Sequence, residues 1–406
     1  MSHRRVAVTG IGLISSLGLD RESSWRGLCE GRCGIADLTL FDGTGCRSQK
    51  VAEVPPYDVG GHFSPNERRR YSRSDQLAVI ATAEALSDAG LLDSGIDRSS
   101  VGTIMGVGSN DLLRGETYYS EVLARGYRHA RPSNIANYLN NAPVDVLGRR
   151  FNLTGLRACT NSACSSSTMA IGYGADLIRR GRLTAAVCGG ADALCRTALA
   201  GFNALRVVDV EPCRPFDVSR SGMNIGEAGA VLILEDMEHA LARGASVYVE
   251  LAGYAANCEA FHATAPEPEG VAVASLLQAA LADSRVPPEE VDHVNAHGTG
   301  TPQNDRTEAR GIRRVFGDRA AGIPVTSIKS MVGHCLGAAG GIEAAALALT
   351  IARGVIPPTI HHHETDPECQ VDVVANQPRV QPVRCGISTS LAFGGNDAAI
   401  VMRRAQ

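Results

Sequence analysis

The sequence predicts an α/β fold assembled from two structurally related halves with mixed sheets, and three observations carry that prediction. Short β-branched runs alternate with stretches of helical periodicity along most of the chain. The alternation pauses after a run ending at Asp236 and restarts near residue 247. A length of 406 residues suits two ordinary domains, or one unit whose halves share a core. The halves are expected at residues 1–246 and 247–406, with no residue-level repeat between them.

Residues 6–14 (VAVTGIGLI) are β-branched and bounded by glycine, which reads as a buried opening strand. Residues 31–70 are rich in Gly, Pro and polar side chains and read as loop. Apolar residues recur at helical spacing over 74–89, and Gly90 supplies the stop. A strand follows at 101–108. Periodicity is weak over 111–141, so an irregular excursion is expected there, placed to shape a pocket or an interface. Then come a strand at 156–159, a small-residue helix at 164–180, strands at 185–192 and 229–236, and a helix at 237–243. The second half reads as a strand at 247–256, a helix at 271–282, a strand at 291–297, helices at 305–316 and 340–353, and a closing strand pair (RCGISTSLAF and DAAIVMRR).

Composition narrows the function classes. A formal net charge of −4, with no basic run interleaved with aromatics, argues against nucleic-acid binding. No uninterrupted apolar run reaches the roughly 18 residues of a membrane span, and MSHRRVAVTG leads straight into the first strand, so a cytoplasmic protein without membrane association is expected. The 12 cysteines are scattered through a large chain, which points to buried, reduced thiols. Cys29 and Cys33 have no nearby His or Cys to complete a zinc set, and no metal site is expected. Lys50 and Lys329 are the only lysines among 39 basic residues, which singles out any lysine inside a motif.

Four segments carry chemistry. In ACTNSACSSSTMAIGYGADLIRRG (158–181) a strand gives way to a helix whose first turn is read as Cys164-Ser165-Ser166-Ser167. There the helix dipole and free N–H groups favour a thiolate, making Cys164 a nucleophile candidate; a small cysteine packed in a helix start is the plainer reading. In VNAHGTGTPQND (294–305) His297 ends a strand and can reach into a cavity, with Thr299 and Thr301 presenting hydroxyls in the loop beyond. In SIKSMVGHCLGAAGGIEA (327–344) Lys329 precedes His334 by five residues. A lysine in so apolar a stretch needs a carboxylate or solvent, and Glu227 is the partner expected. In SLAFGGNDAAIV (390–401) a Gly-Gly turn follows Phe393, whose N–H can pair with that of Cys164 as an oxyanion hole; a plain hairpin is the alternative.

These four segments, in this order, resemble the elongating β-ketoacyl-acyl carrier protein synthases of the thiolase superfamily. The resemblance runs from VAVTGIGLISSLG through CRPFDVSRSG to the final FGG turn. It implies a thiolase-like, five-layered αβαβα fold and a dimer, either of like chains or with a chain-length-factor-like subunit. It implies an acyltransferase (EC 2.3.1.-) in which Cys164, His297 and His334 form a catalytic triad supported by Lys329. The acyl group on Cys164 would be extended by two carbons from a decarboxylating malonyl thioester. Thr264, Thr299 and Thr301 would contact pantetheine or malonyl, Phe393 would gate the acyl pocket, and Phe202 and Ser109 would line it. Substrates would arrive on the phosphopantetheine of an acyl carrier protein, the expected partner, and no other cofactor is implied.

Several positions depart from the pattern: Leu391 stands where many relatives carry a second Phe, Asn396-Asp397 where Thr-Asn is usual, Ser221 where Asp is common, and Ser109 where a larger aliphatic is frequent. These favour a polyketide or polyene intermediate of specialised metabolism over ordinary fatty-acid elongation, which is the alternative. A non-catalytic chain-length subunit would lack the nucleophile that Cys164 supplies. A degradative thiolase would carry a second cysteine near the C-terminus, where this chain has FGGND. A starter-type synthase would pair its Cys with His and Asn, and His334 disfavours that.

Overall fold

The structure, a computed structural model, describes residues 4–110 and 112–405. In the first half the strands are β1 (Val6–Ile14), β2 (Val101–Gly106), β3 (Arg157–Thr160), β4 (Ala185–Asp192) and β5 (Ala228–Asp236). In the second they are β6 (Val249–Cys258), β7 (His293–Asn295), β8 (Pro324–Thr326), β9 (Cys385–Ser390) and β10 (Asn396–Arg403). Their order in space is β3-β2-β4-β5-β1 followed by β6-β10-β9-β7-β8, with Asp372–Val373 extending the far edge. Each half therefore uses the same permutation, three parallel strands followed by two antiparallel ones. The halves meet at a short seam, Ala7↔Glu250 and Val8↔Val249.

Five helices complete the layers: α1 (Arg73–Ala89), α2 (Ser166–Arg179), α3 (Val271–Ser284), α4 (Pro302–Phe316) and α5 (Ala339–Arg353). Helix α1 covers the outer face of the first half, while α3, backed by α4, covers that of the second. Between the halves lie α2, which touches strands of both, and α5, buried from Ala339 to Ile351. This is the expected αβαβα stack. The segment Leu336–Arg353 is apolar and long enough to cross a membrane, yet 89% of it is buried inside the protein.

Local chemistry explains the elements that position the site. Helix α1 starts at a capping box between Ser72 and Asp75 and ends at Gly90, φ +57°. It lies directly on β1, whose glycines make room: a Cβ on Gly12 would sit 1.8 Å from the carbonyl oxygen of Ala81. Gly12→Ala is accordingly expected to force α1 off the strand and to cost about 1–3 kcal/mol, seen as a lowered thermal midpoint. An unchanged midpoint would show that α1 can shift freely.

Two expectations change. The excursion over 111–141, of which Asp111 lies outside the described residues, is helical rather than irregular, with helices at Leu112–Arg125 and Pro132–Tyr138. These helices bury little against their own chain and leave Tyr119, Leu123 and Tyr138 exposed, so no core-facing stripe marks them in the sequence. Within 31–70 the loop carries a two-strand ribbon, Ala36–Asp37 with Lys50–Val51, and short helices at Val59–His62 and Pro65–Arg70.

Candidate active site

Strand β3 ends at Thr160, and the chain reverses through Ala163, held at φ +54°. Cys164 sits in a single 3₁₀ turn, Ala163–Ser165, one step before α2 begins at Ser166, rather than in the helix's own first turn. The serines that follow fasten this elbow. Ser166 Oγ donates to the Ala163 carbonyl at 2.6 Å and accepts from Ser162 N at 2.9 Å. Ser165 Oγ reaches the Asn396 carbonyl at 2.5 Å, and Ser167 Oγ accepts from Gly341 N at 2.8 Å, so the elbow is tied to the second half at two points.

The thiol is buried, and burial pushes it up to about 11, against the pull of the Lys329 charge and of the Phe393 and Cys164 backbone N–H groups that face the sulfur. The sequence expectation of a resting thiolate is therefore reversed. Desolvation outweighs a helix terminus that lies one turn away. The two N–H groups that the sequence suggests for an oxyanion hole both face this sulfur.

His297 and His334 approach from the loops after β7 and β8. The sulfur and one ring nitrogen of each histidine lie within 4.8 Å of one another, and the rings meet edge to face with centroids 5.4 Å apart. His334 Nδ1 accepts from Leu336 N at 3.0 Å, which places its proton on Nε2. That Nε2 is buried and has no partner among the described residues. His297 Nδ1 lies 3.3 Å from Lys329 Nζ; an ammonium only donates, so this ring too carries its proton on Nε2. Burial first, then the Lys329 charge, holds both imidazoles well below the usual histidine range, so both are neutral at pH 7. Glu308 fixes the His297 loop by accepting from His297 N at 2.7 Å, Gly298 N at 2.8 Å and Thr389 Oγ1 at 2.6 Å.

Lys329, 1% exposed, donates to the His297 carbonyl at 2.6 Å and is ion-paired with Glu343 at the start of α5. Glu227 is not its partner. That carboxylate is taken by Arg73, at 2.5 and 2.8 Å, and by Val54 N, because it leads into β5 on the side facing the start of α1. Burial pushes the Glu343 carboxyl up to about 7 even with the ammonium against it.

Cys164, His297 and His334 open into a cavity of about 190 Å³ whose walls include Thr264, Thr299, Thr301, Leu391, Phe393, Glu259 and Asp397. Thr299 and Thr301 hydroxyls bond each other at 2.9 Å. Phe202 stands behind this wall, its ring 5.8 Å from that of Phe393. Ser109 is turned away, donating from N and Oγ to Asp192. Neither Phe202 nor Ser109 lines the cavity itself. Sequence reasoning passed over Glu343 and Glu308, which hold Lys329 and the His297 loop, and over Glu259, which joins Asp397 in the cavity wall. Glu343 had a signal: it is the single charge in AAGGIEAAALALTIA, and a lone carboxylate in an apolar helix requires a cation.

Comparison with known proteins agrees with this geometry. Residues 3–240 match the β-ketoacyl synthase N-terminal domain and residues 248–363 the C-terminal domain. A 3-oxoacyl-[acyl-carrier-protein] synthase 2 of Synechocystis is 37% identical over 413 residues, covering 100% of this chain and 99% of that protein. Among solved structures, the ishigamide ketosynthase/chain length factor superposes with a TM-score of 0.94 at 36% identity over all of both chains. A chain from a type II PKS acyl-carrier protein in complex with its ketosynthase bound to the hexaketide gives 0.93 at 30% identity, again over all of both chains. With both domain models matched in order and relatives aligned end to end, the chain belongs to the β-ketoacyl synthase family of condensing acyltransferases.

Proposed function

We propose that this protein extends an acyl group held on Cys164 by decarboxylative condensation with a malonyl thioester. The observation that carries the reading is the convergence of one thiol and two neutral, Nε2-protonated histidines on a single cavity. The thiol adds to the incoming acyl thioester while the Phe393 and Cys164 N–H groups take the developing oxyanion; such a donor is worth about 3 kcal/mol. The thiol proton leaves on the departing pantetheine sulfur. A malonyl thioester then loses CO2, and the enolate oxygen accepts from His297 and His334 Nε2–H. Its carbon attacks the acyl-Cys164 carbonyl, the C–S bond breaks, and Cys164 departs as a thiolate that takes up one proton from solvent. Lys329, held by Glu343, positions His297, and burial together with the Lys329 charge keeps that ring neutral. Each step moves electron pairs and protons only, so no metal or redox cofactor is called for.

The substrates would be carried by an acyl carrier protein, and a second chain, a copy or a chain-length-factor-like subunit, would complete the assembly. Among the described residues the cysteines form no disulfide, which fits the reducing cytoplasm. We assign the enzyme to polyketide or polyene assembly, on the strength of Leu391 and Asp397 in the cavity wall. The curated relatives favour fatty-acid elongation as the second reading.

Intact-mass spectrometry tests the proposal. Incubation with acyl-loaded carrier protein is expected to add one acyl group, mapped to the peptide containing Cys164, and malonyl-loaded carrier protein is expected to discharge it as a ketoacyl product. An adduct elsewhere, or one that malonyl does not discharge, would refute the mechanism. A preference for saturated chains over unsaturated or ketone-bearing ones would refute the polyketide assignment alone.

A further inference from the structure

The cavity wall opposite the histidines contains two carboxyl groups for which the mechanism above has no use. Strands β6 and β10 pair with Asn396 opposite Cys258 and Asp397 opposite Asn257, which brings Glu259, just past the end of β6, against the Phe393 turn. Glu259 N donates to the Gly395 carbonyl at 2.9 Å. Asp397 Oδ1 accepts from Ala392 N at 2.9 Å, the amide immediately before Phe393. Glu259 Oε2 accepts from Glu267 N at 2.9 Å, on the loop that also carries Thr264. The remaining oxygens, Glu259 Oε1 and Asp397 Oδ2, are buried with no hydrogen-bond partner among the described residues, and the two carboxyl groups act on one another. Two neighbouring carboxyl groups buried without donors are reconciled by a proton between them.

We infer that Glu259 and Asp397 share one proton, and that this acid pair positions the Phe393 N–H by clasping the Phe393 turn to the 259–267 loop. The inference rests on the proposed role of that N–H as an oxyanion donor. An Asn in place of Asp397 would close the same clasp with an amide, which donates at any pH. This chain uses a group that titrates.

The surroundings keep the proton in place. Burial raises both acids and pushes Asp397 up to about 8. The nearby charges that act on the pair, Glu267 on the same loop and Glu308 on α4, are carboxylates and push the same way. His262, on that loop, and Cys164, His297 and His334 line the same cavity. A raised carboxyl pKa means that the clasp is closed below about pH 8 and opens above it, when two like charges are left in contact. A group titrating at about 8 is about nine-tenths protonated at pH 7 and about one-tenth protonated at pH 9.

The test is the rate of Cys164 acylation by acyl-loaded carrier protein between pH 6 and pH 10, in the wild type, Asp397→Asn and Glu259→Gln. Alkylation of the same thiol by iodoacetamide, which needs no oxyanion hole, serves as the control for thiol ionisation. Normalised to alkylation, the wild-type acylation rate is expected to fall about tenfold from pH 7 to pH 9. In either variant, whichever folds, that fall is expected to vanish, because an amide holds the clasp without a proton. Equal pH 9 to pH 7 ratios in wild type and variants would overturn the inference and leave the proposed function standing. No acylation of the wild type at any pH would overturn both.

Discussion

Removing the His334 imidazole, as in His334→Ala, is expected to slow malonyl decarboxylation by about 10²–10³-fold while Cys164 still accepts its acyl group. The selectivity follows from geometry. Acyl transfer draws on the Phe393 and Cys164 N–H groups, which belong to the backbone and face the sulfur without help from the histidine side chain. Decarboxylation places charge on an oxygen that is expected to accept from the two Nε2–H groups. His334 Nε2 is buried without a partner among the described residues, so its donor capacity is held ready and needs no rearrangement. Single-turnover measurement separates the steps: the acyl adduct forms at near wild-type rate, and its discharge is slow. Equal losses in both steps would mean that His334 instead works on the thiol.

The second large effect concerns stability. In Glu343→Ala the Lys329 ammonium is left 1% exposed with no carboxylate, and a loss of about 3–5 kcal/mol is expected, read as a steep drop in the thermal midpoint. Combining Lys329→Met with Glu343→Leu replaces the buried ion pair by hydrocarbon and is expected to restore most of that stability. Condensation in the double variant stays slow, because His297 Nδ1 has lost its neighbour and the ring is no longer held in one tautomer. If the single variant were as stable as the wild type, the pair would owe its place to catalysis alone.

Much of this was legible in the chain. Periodicity located nearly every strand and helix, because the sheets are buried on both faces and their runs are short and apolar. The Cys, the two His and the Lys stood out because each interrupts a run of small residues. Partners were harder to read. Glu227 and Glu343 are both buried, and only the fold shows that Arg73 reaches the first and Lys329 the second. The ionisation of Cys164 was misread because helix-end electrostatics can be inferred from sequence, whereas the degree of burial that overrides it depends on how the two halves close. The Glu259–Asp397 contact joins residues far apart in the chain and left no local pattern.

The repeated strand permutation decides where the active site forms. In each half the third strand, β3 or β8, leads through a turn to a helix of the middle layer, α2 or α5. In the first half that turn carries the nucleophile Cys164, and in the second it carries Lys329 and His334. Sulfur comes from one half and nitrogen donors from the other, so the active site is an internal interface, and a change that shifts one half against the other separates the reacting groups without altering any of them.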